Sequence, residues 1–425
     1  MTSSRRALLA SAVIVSCMAG LSPVAAGRDR ASTANDWRNE RWVVESFTGA
    51  LGGGPAWGPV AETGAGGGSS ALCGDRAGNI YFCHGNRIDI ITKDGMRHHL
   101  AGNGRKGYRD GPAELAEFRI GVRAFYGWYN INCDDRGNVY VPDNGNSCVR
   151  RVFKDAKGKW MVETYAGGGG KTLSKGQSCS PREAKISGTL IVAAAPNGLL
   201  YIATTSRGYQ VTPDGKTLKC LGGWPASTAR RKDRPPYLTF RGGGDCDRAG
   251  NAYFTAASPM AVVKITPEGD ITHIAFECGV DIRKRGDAPP MLAGFNTSAC
   301  RGSASPDGSC IYVSGGDEYD IRRVPTDLKT TTATLLMNGR WYVMKVHPNA
   351  NRGRAVFDAS ATGKPRTEGG RLHNLAINPI LGRDYSGNLY GALAHWVGRT
   401  QEVKGKGLLG TRVFRIRKLG QGEDE

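Results

Sequence analysis

Tyr129 and His373 can transfer protons, and Arg241 and Arg371 carry charge, as a uronide-cleaving lyase would require without a metal. That reaction needs a cation to neutralise the carboxylate and a base to take the adjacent proton. A guanidinium grips a carboxylate or sulfate through two parallel hydrogen bonds. Trp128, Asn130 and Asn374 stand beside these residues in the chain and offer a stacking face and two amides to a sugar. The same side chains also describe a non-catalytic site for an anionic ligand. Each has a plainer role too, with Trp128 and Tyr129 packing between structural units and His373 capping a loop. Deciding among these readings requires the elements that place 128–130, 241 and 371–374.

A short phrase repeated six times supplies those elements. Its copies are Asp75-Arg-Ala-Gly-Asn-Ile-Tyr81, Asp135-Arg-Gly-Asn-Val-Tyr140, Pro196-Asn-Gly-Leu-Leu-Tyr201, Asp247-Arg-Ala-Gly-Asn-Ala-Tyr253, Pro306-Asp-Gly-Ser-Cys-Ile-Tyr312 and Asp384-Tyr-Ser-Gly-Asn-Leu-Tyr390. Gly and Asn accept positive φ, and an apolar residue followed by Tyr suits a pleated buried strand, so each copy reads as a hairpin entering a strand. The marker glycines at 78, 137, 198, 250, 308 and 387 lie 52 to 79 residues apart. Units of this length, built from short strands and Gly-rich turns, predict the blades of an all-β, six-bladed β-propeller. The last unit stops at Arg412-Val-Phe-Arg-Ile-Arg417, one strand short. Val43-Val-Glu-Ser-Phe-Thr-Gly49 matches Met161-Val-Glu-Thr-Tyr-Ala-Gly167 almost residue for residue, so an N-terminal strand is expected to complete the sixth blade.

Ala101-Gly-Asn-Gly-Arg-Lys-Gly-Tyr-Arg-Asp-Gly-Pro112 with Ala116-Glu-Phe118, then Asp135 to Asn146 and Val149-Arg-Arg-Val152, resembles the inter-blade segment and blade core of NHL-repeat propellers. The likeness is specific in blades 1 and 2; blades 3 to 6 keep only the turn and its strand. It implies a propeller related to the regucalcin and gluconolactonase-like propellers, and a fold of this kind hosts many functions.

Propellers usually bind at the channel mouth, where each innermost strand begins. Counting eight to ten residues back from each marker places Gly68 to Ser70, 128–130, Gly188 to Leu190, Phe240 to Gly242, Ser298 to Cys300 and 371–374 at that mouth. These positions hold aromatics, amides, hydroxyls and arginines but no carboxylate. The calcium-dependent relatives surround an ion with acidic ligands, as hard cations prefer, so no metal or cofactor is expected here. The expected function is recognition of an anionic ligand, whether an acidic glycan, a small anion or a protein. A carbohydrate lyase or hydrolase and a structural scaffold are the alternatives.

Residues 1–26 read as an export signal, with Arg5 and Arg6 before an apolar run and Val24-Ala-Ala26 before Gly27. Ser4-Arg-Arg-Ala-Leu-Leu9 also resembles a twin-arginine signal, and Ile14-Val-Ser-Cys17 a lipoprotein box that would tether the chain through Cys17. All three routes give an extracytoplasmic protein, periplasmic, secreted or envelope-associated, and no stretch is long enough to span a bilayer. A flexible arm at 27–40, one propeller at 41–420 and an acidic tail at 421–425 complete the division, and a monomer is expected. Of the 11 cysteines, an even number remains once Cys17 leaves with the signal, which favours disulfides after export. Cys73 with Cys83, Cys133 with Cys148 and Cys300 with Cys310 each flank one hairpin, so pairing within blades is one arrangement among those the sequence leaves open. The formal charge of +19 suits an anionic polysaccharide or an acidic protein. Export argues against nucleic acid.

Overall fold

Each marker phrase closes on its own side chains. In the first blade the Gly78 amide donates to the Asp75 carbonyl at 3.1 Å, closing the turn. The Asp75 carboxylate then accepts from the Asn79 amide at 2.8 Å, from Asn79 Nδ2 at 2.9 Å and from Tyr81 Oη at 2.9 Å. Asp134, Asn138 and Tyr140 repeat the arrangement, as do Asp247, Asn251 and Tyr253, and Asp384, Asn388 and Tyr390. The tyrosine is therefore a donor tied to the turn as well as a packing group. Burial first, then the neighbouring Asp75 charge, pushes the Tyr81 phenol far above its ordinary range, so the proton stays in place. In the second blade the anchor is Asp134, one residue before the Asp135 that opens the repeated phrase. Ser305 serves in the fifth blade through its hydroxyl, and in the third the Tyr201 hydroxyl donates to the Gly250 carbonyl of the fourth at 2.7 Å.

The computed structural model describes residues 41–47, 58–59, 69–120, 130–188, 190–224, 239–258, 260–275, 300–315, 321–327, 333–336, 345–346, 353–358, 377–393 and 412–418. Six antiparallel sheets form the six blades of a β-propeller. Their innermost strands are Ser69–Gly74, Asn132–Cys133, Ile191–Ala194, Thr239–Cys246, Cys300–Ala304 and Ile377–Arg383. Apolar layers fill the spaces between neighbouring blades. Ile88, Val139, Val141 and Val152 pack between the first and second, and Tyr201, Phe254 and Val263 between the third and fourth. The β-branched and aromatic residues that favour a pleated surface thus bury both faces of the blades.

The N-terminal strand does complete the sixth blade. Arg41–Ser46 pairs with Arg412–Lys418, Val44 lying opposite Ile416. It is not the outermost strand, because Gly353–Asp358 pairs with its other side and Lys345–Val346 extends that sheet to six strands. These two strands thus cover an edge that would otherwise invite pairing with another chain. Two-residue strands at Gly58–Pro59, Gly111–Pro112 and Ser178–Cys179 cover the outer edges of the first three blades in the same way.

Arg150 accounts for the NHL-like segment. Its side chain is fully buried and donates to Asp110 Oδ1 at 2.6 Å, Asp143 Oδ2 at 3.0 Å and the Arg109 carbonyl at 2.7 Å. The guanidinium also lies 5.1 Å from the ring centres of both Tyr108 and Phe118. One side chain of blade 2 thereby fastens the segment that arrives from blade 1.

No pairing of cysteines within blades is found among the described residues. Cys73, Cys83, Cys133, Cys148 and Cys310 carry free thiols. Cys133 and Cys148 lie on the first and third strands of blade 2, with Val139–Asp143 between them. That separates them by roughly 9–10 Å, whereas a disulfide spans less than about 7 Å. Cys300 sits opposite Gly315, at the far end of the strand that Cys310 begins, roughly 17 Å away at the usual rise. Cys73 faces Tyr81 while Cys83 faces Ala71, a diagonal arrangement.

Candidate functional site

The innermost strands surround a cavity on the propeller axis, close to the turns that end them. Its polar lining is Cys73, Asn130, Asn132, Cys133, Asp245, Arg301, Ser303 and Arg383, drawn from blades 1, 2, 4, 5 and 6. Glycines 74, 243, 244, 302 and 382 complete much of the wall, because the strands crowd together here. At Gly382 φ is +150°, and a Cβ would overlap the Leu72 carbonyl oxygen. The cavity measures about 30 Å³, room for roughly two water molecules. It takes an ion or the end group of a ligand, not a sugar ring.

Blade 3 does not line the cavity, since Ile191–Ala194 is wholly apolar and buried. Asn130 and Asn132 of blade 2 stitch it in place instead. Asn130 Nδ2 donates to the carbonyls of Val192 at 2.6 Å and Gly244 at 2.8 Å, and its Oδ1 accepts from the Val192 amide at 3.1 Å. Asn132 Nδ2 reaches the Gly244 carbonyl at 3.2 Å and Asp245 Oδ1 at 3.3 Å. Two side chains thus hold the inner strands of three blades.

Asp245 gathers the remaining blades. It accepts from Ser303 Oγ at 2.7 Å, the Ala304 amide at 3.0 Å, the Cys246 amide at 2.8 Å and Arg383 Nε at 2.8 Å. Arg383 also donates to the Cys246 carbonyl at 2.6 Å. Burial works against the Arg383 charge, but Asp245 outweighs it and raises the guanidinium above its ordinary range. Arg301 and Arg383 thus bring two guanidiniums to a lining that also holds the Asp245 carboxylate, whose oxygens already accept from protein donors. Burial is the leading cause that pushes the Cys73, Cys133 and Cys246 thiols up, so they stay protonated near neutrality and are poor nucleophiles.

Below the cavity, at the turn end of the channel, the ring of Tyr385 carries Arg248 at 5.2 Å from its centre. Its hydroxyl points to Asp135 Oδ2 at 3.5 Å, and Arg76 stands 3.8 Å from the same oxygen. The turns of blades 1, 2, 4 and 6 converge there.

Of the residues singled out from the sequence, Asn130 lines the cavity, with its amide committed to backbone groups. Arg241 lies in the innermost strand of blade 4, Thr239–Cys246, and its side chain is outside the described residues. Trp128, Tyr129, Arg371, His373 and Asn374 also lie outside them, so the lyase constellation has no described geometry. The expectation of a channel without a carboxylate is corrected by Asp245. The residues lining this cavity stand four to seven positions before the marker glycine, nearer the turn than the mouth positions counted from the sequence. The readable signal was a polar residue one or two positions before the anchoring Asp or Ser, at Asn132, Asp245, Ser303 and Arg383.

No protein-family model matches this chain, and no curated protein matches it in sequence. Solved structures share its fold. An auxiliary nutrient binding protein from Bacteroides thetaiotaomicron is 11% identical with a TM-score of 0.52, over 89% of this chain and 77% of that one. One from Bacteroides ovatus is 13% identical with a TM-score of 0.51, over 90% and 78%. A streptogramin B lyase is 10% identical with a TM-score of 0.43, over 89% and 98%. At these identities the likeness is one of fold. The NHL-repeat resemblance rests on the motifs of blades 1 and 2 alone.

Proposed function

We propose that this propeller is an extracytoplasmic binding protein that seats an anionic group of its ligand in the axial cavity. One observation carries the reading: Arg301 and Arg383, from adjacent blades, line one small cavity whose single carboxylate is saturated by protein donors. A carboxylate or sulfate entering there meets two guanidiniums in surroundings that screen charge poorly, where each charge-assisted hydrogen bond is strong. The cavity is too small for a sugar ring, so an acidic glycan would lie in the mouth and place only its charged substituent on the axis. The formal charge of +19 favours the approach of such polymers. The description of two similarly folded proteins as nutrient binding agrees with a binding role, and the N-terminal signal agrees with export.

Calorimetric titration with sulfate, acetate and acidic oligosaccharides tests the reading. Binding that weakens in Arg301→Gln and at 1 M salt supports it. Affinity unchanged by either would sink it. Monitoring the same mixtures for unsaturated uronide absorbance covers the lyase alternative built on Tyr129 and His373, because product formation would replace binding with turnover.

A further inference from the structure

Cys73 and Cys133 occupy corresponding regions of consecutive blades, each near the turn end of its innermost strand. The two strands are neighbours around the axis. Both residues line the axial cavity, from adjacent blades. Cys73 is buried, while Cys133 is partly exposed toward the cavity, which gives a small reagent a route to the pair. A bridge here would tie two blades together, unlike the within-blade pairings that the strand register excludes.

We infer that Cys73 and Cys133 form a disulfide between the first two blades when the chain folds in an oxidising compartment. The oxidant is a second disulfide, either a low-molecular-weight one or that of a thiol oxidoreductase. One of the two cysteines, as thiolate, attacks a sulfur of that disulfide and expels one thiol, leaving a mixed disulfide. The other cysteine then attacks its partner's sulfur, expelling the second thiol and forming the Cys73–Cys133 bond. Two electrons and two protons pass to the oxidant, which leaves as two thiols. Burial suppresses the thiolate of both residues in the folded protein, so exchange is fastest before the blades close. The bridge closes a loop running from residue 73 to residue 133, through the rest of blade 1 into blade 2, and so restricts the unfolded chain. It also removes both thiol hydrogens from the cavity wall.

The test is a peptide map of the full chain, refolded in a glutathione redox buffer and alkylated with and without prior reduction. The expected result is a single cross-linked species joining the Cys73 and Cys133 peptides, lighter than the reduced pair by two hydrogen atoms. Cys148, buried beside Arg150, should be recovered unbridged in the same map. Cys73→Ala should leave Cys133 as a newly alkylated free thiol without reduction, and Cys133→Ala should do the same for Cys73. Alkylation of both residues in the unreduced wild-type protein, or their recovery bridged to other cysteines, overturns the inference. The wild-type map decides the matter even where a variant fails to fold. It measures no ligand, so its failure and the failure of the anion-binding reading are told apart.

Discussion

Arg383 of the sixth blade reaches Asp245 of the fourth, with Nε 2.8 Å from Oδ2, and passes beside the fifth blade's Ser303, which holds the same oxygen at 2.7 Å. Both charged side chains are largely buried, at 14% and 10% exposure. The pair therefore stitches three blades at the axis, where apolar packing is thin and the strands carry glycine. Removing one partner of such a pair strands the other charge, at a cost of roughly 3–5 kcal/mol when burial is complete. With some water still in reach, the lower end of that range applies. Asp245→Asn is expected to lose about 3 kcal/mol in urea unfolding. The double variant with Arg383→Met should lose less than the sum of the two singles, and additive losses would mean that the two side chains act independently.

Arg301 separates ligand affinity from this stitching, because the ion pair with Asp245 described above is made by Arg383. A charge-assisted hydrogen bond contributes about 1.5–3 kcal/mol. Arg301→Gln should therefore weaken sulfate or uronate binding by roughly 10- to 100-fold. The titration is to be run beside an unfolding curve, so that weaker binding by an intact fold is distinguished from a damaged fold.

The first blade carries a buried carboxylate with a pH signature. Asp89 accepts from Arg97 Nε at 2.8 Å and His84 Nε2 at 2.9 Å, and His99 Nδ1 stands at 3.5 Å. Burial alone would raise its carboxyl, but hydrogen bonds from His84 and His99 and the nearby positive charges reverse this and hold it below the ordinary range. A depressed folded value means that the contribution is complete above the unfolded value of about 4. It is lost as pH falls through the lower folded value. The urea midpoint should fall steeply below about pH 4. Asp89→Asn should be less stable at neutral pH and flatter across that acid limb. Equal acid slopes in the two proteins would remove Asp89 from the account.

The blades were legible because their turns are chemically closed units. Asp75, Asn79 and Tyr81 satisfy one another within seven residues, so four of the hairpins share the arrangement and the third and fifth keep its Gly and Tyr. The cavity was harder to read, because its residues are selected by partners on other blades. Nothing local to Asp245 signals that Arg383, more than a hundred residues later, will meet it across the axis. Asn130 was recognised as an axial residue, but its use depends on the Val192 and Gly244 backbones, which only the closed ring brings near. The cysteines misled for a related reason. Spacing along a hairpin resembled pairing, whereas Cys73 and Cys133, which both line the cavity, belong to different blades.

Closure of the ring rests on Arg41–Ser46, which is paired on both sides. Val44 lies opposite Ile416 on one strand and Ala355 on the other. Phe47, just beyond it, packs edge-on against Tyr390 with ring centres 4.8 Å apart. Proline in a strand paired on both sides removes a ladder donor and disturbs the backbone of its neighbours. Val44→Pro is therefore expected to cost about 3 kcal/mol or more and to leave the edges of Arg412–Lys418 and Gly353–Asp358 open to other chains. Light scattering should show concentration-dependent association of this variant at temperatures where the parent stays dispersed. A synthetic peptide spanning residues 41–47, added to a chain that begins at residue 48, should suppress the association by occupying the vacant strand position. Association that ignores the peptide, or a Val44→Pro protein as stable as the parent, would show that the sixth blade closes without this strand.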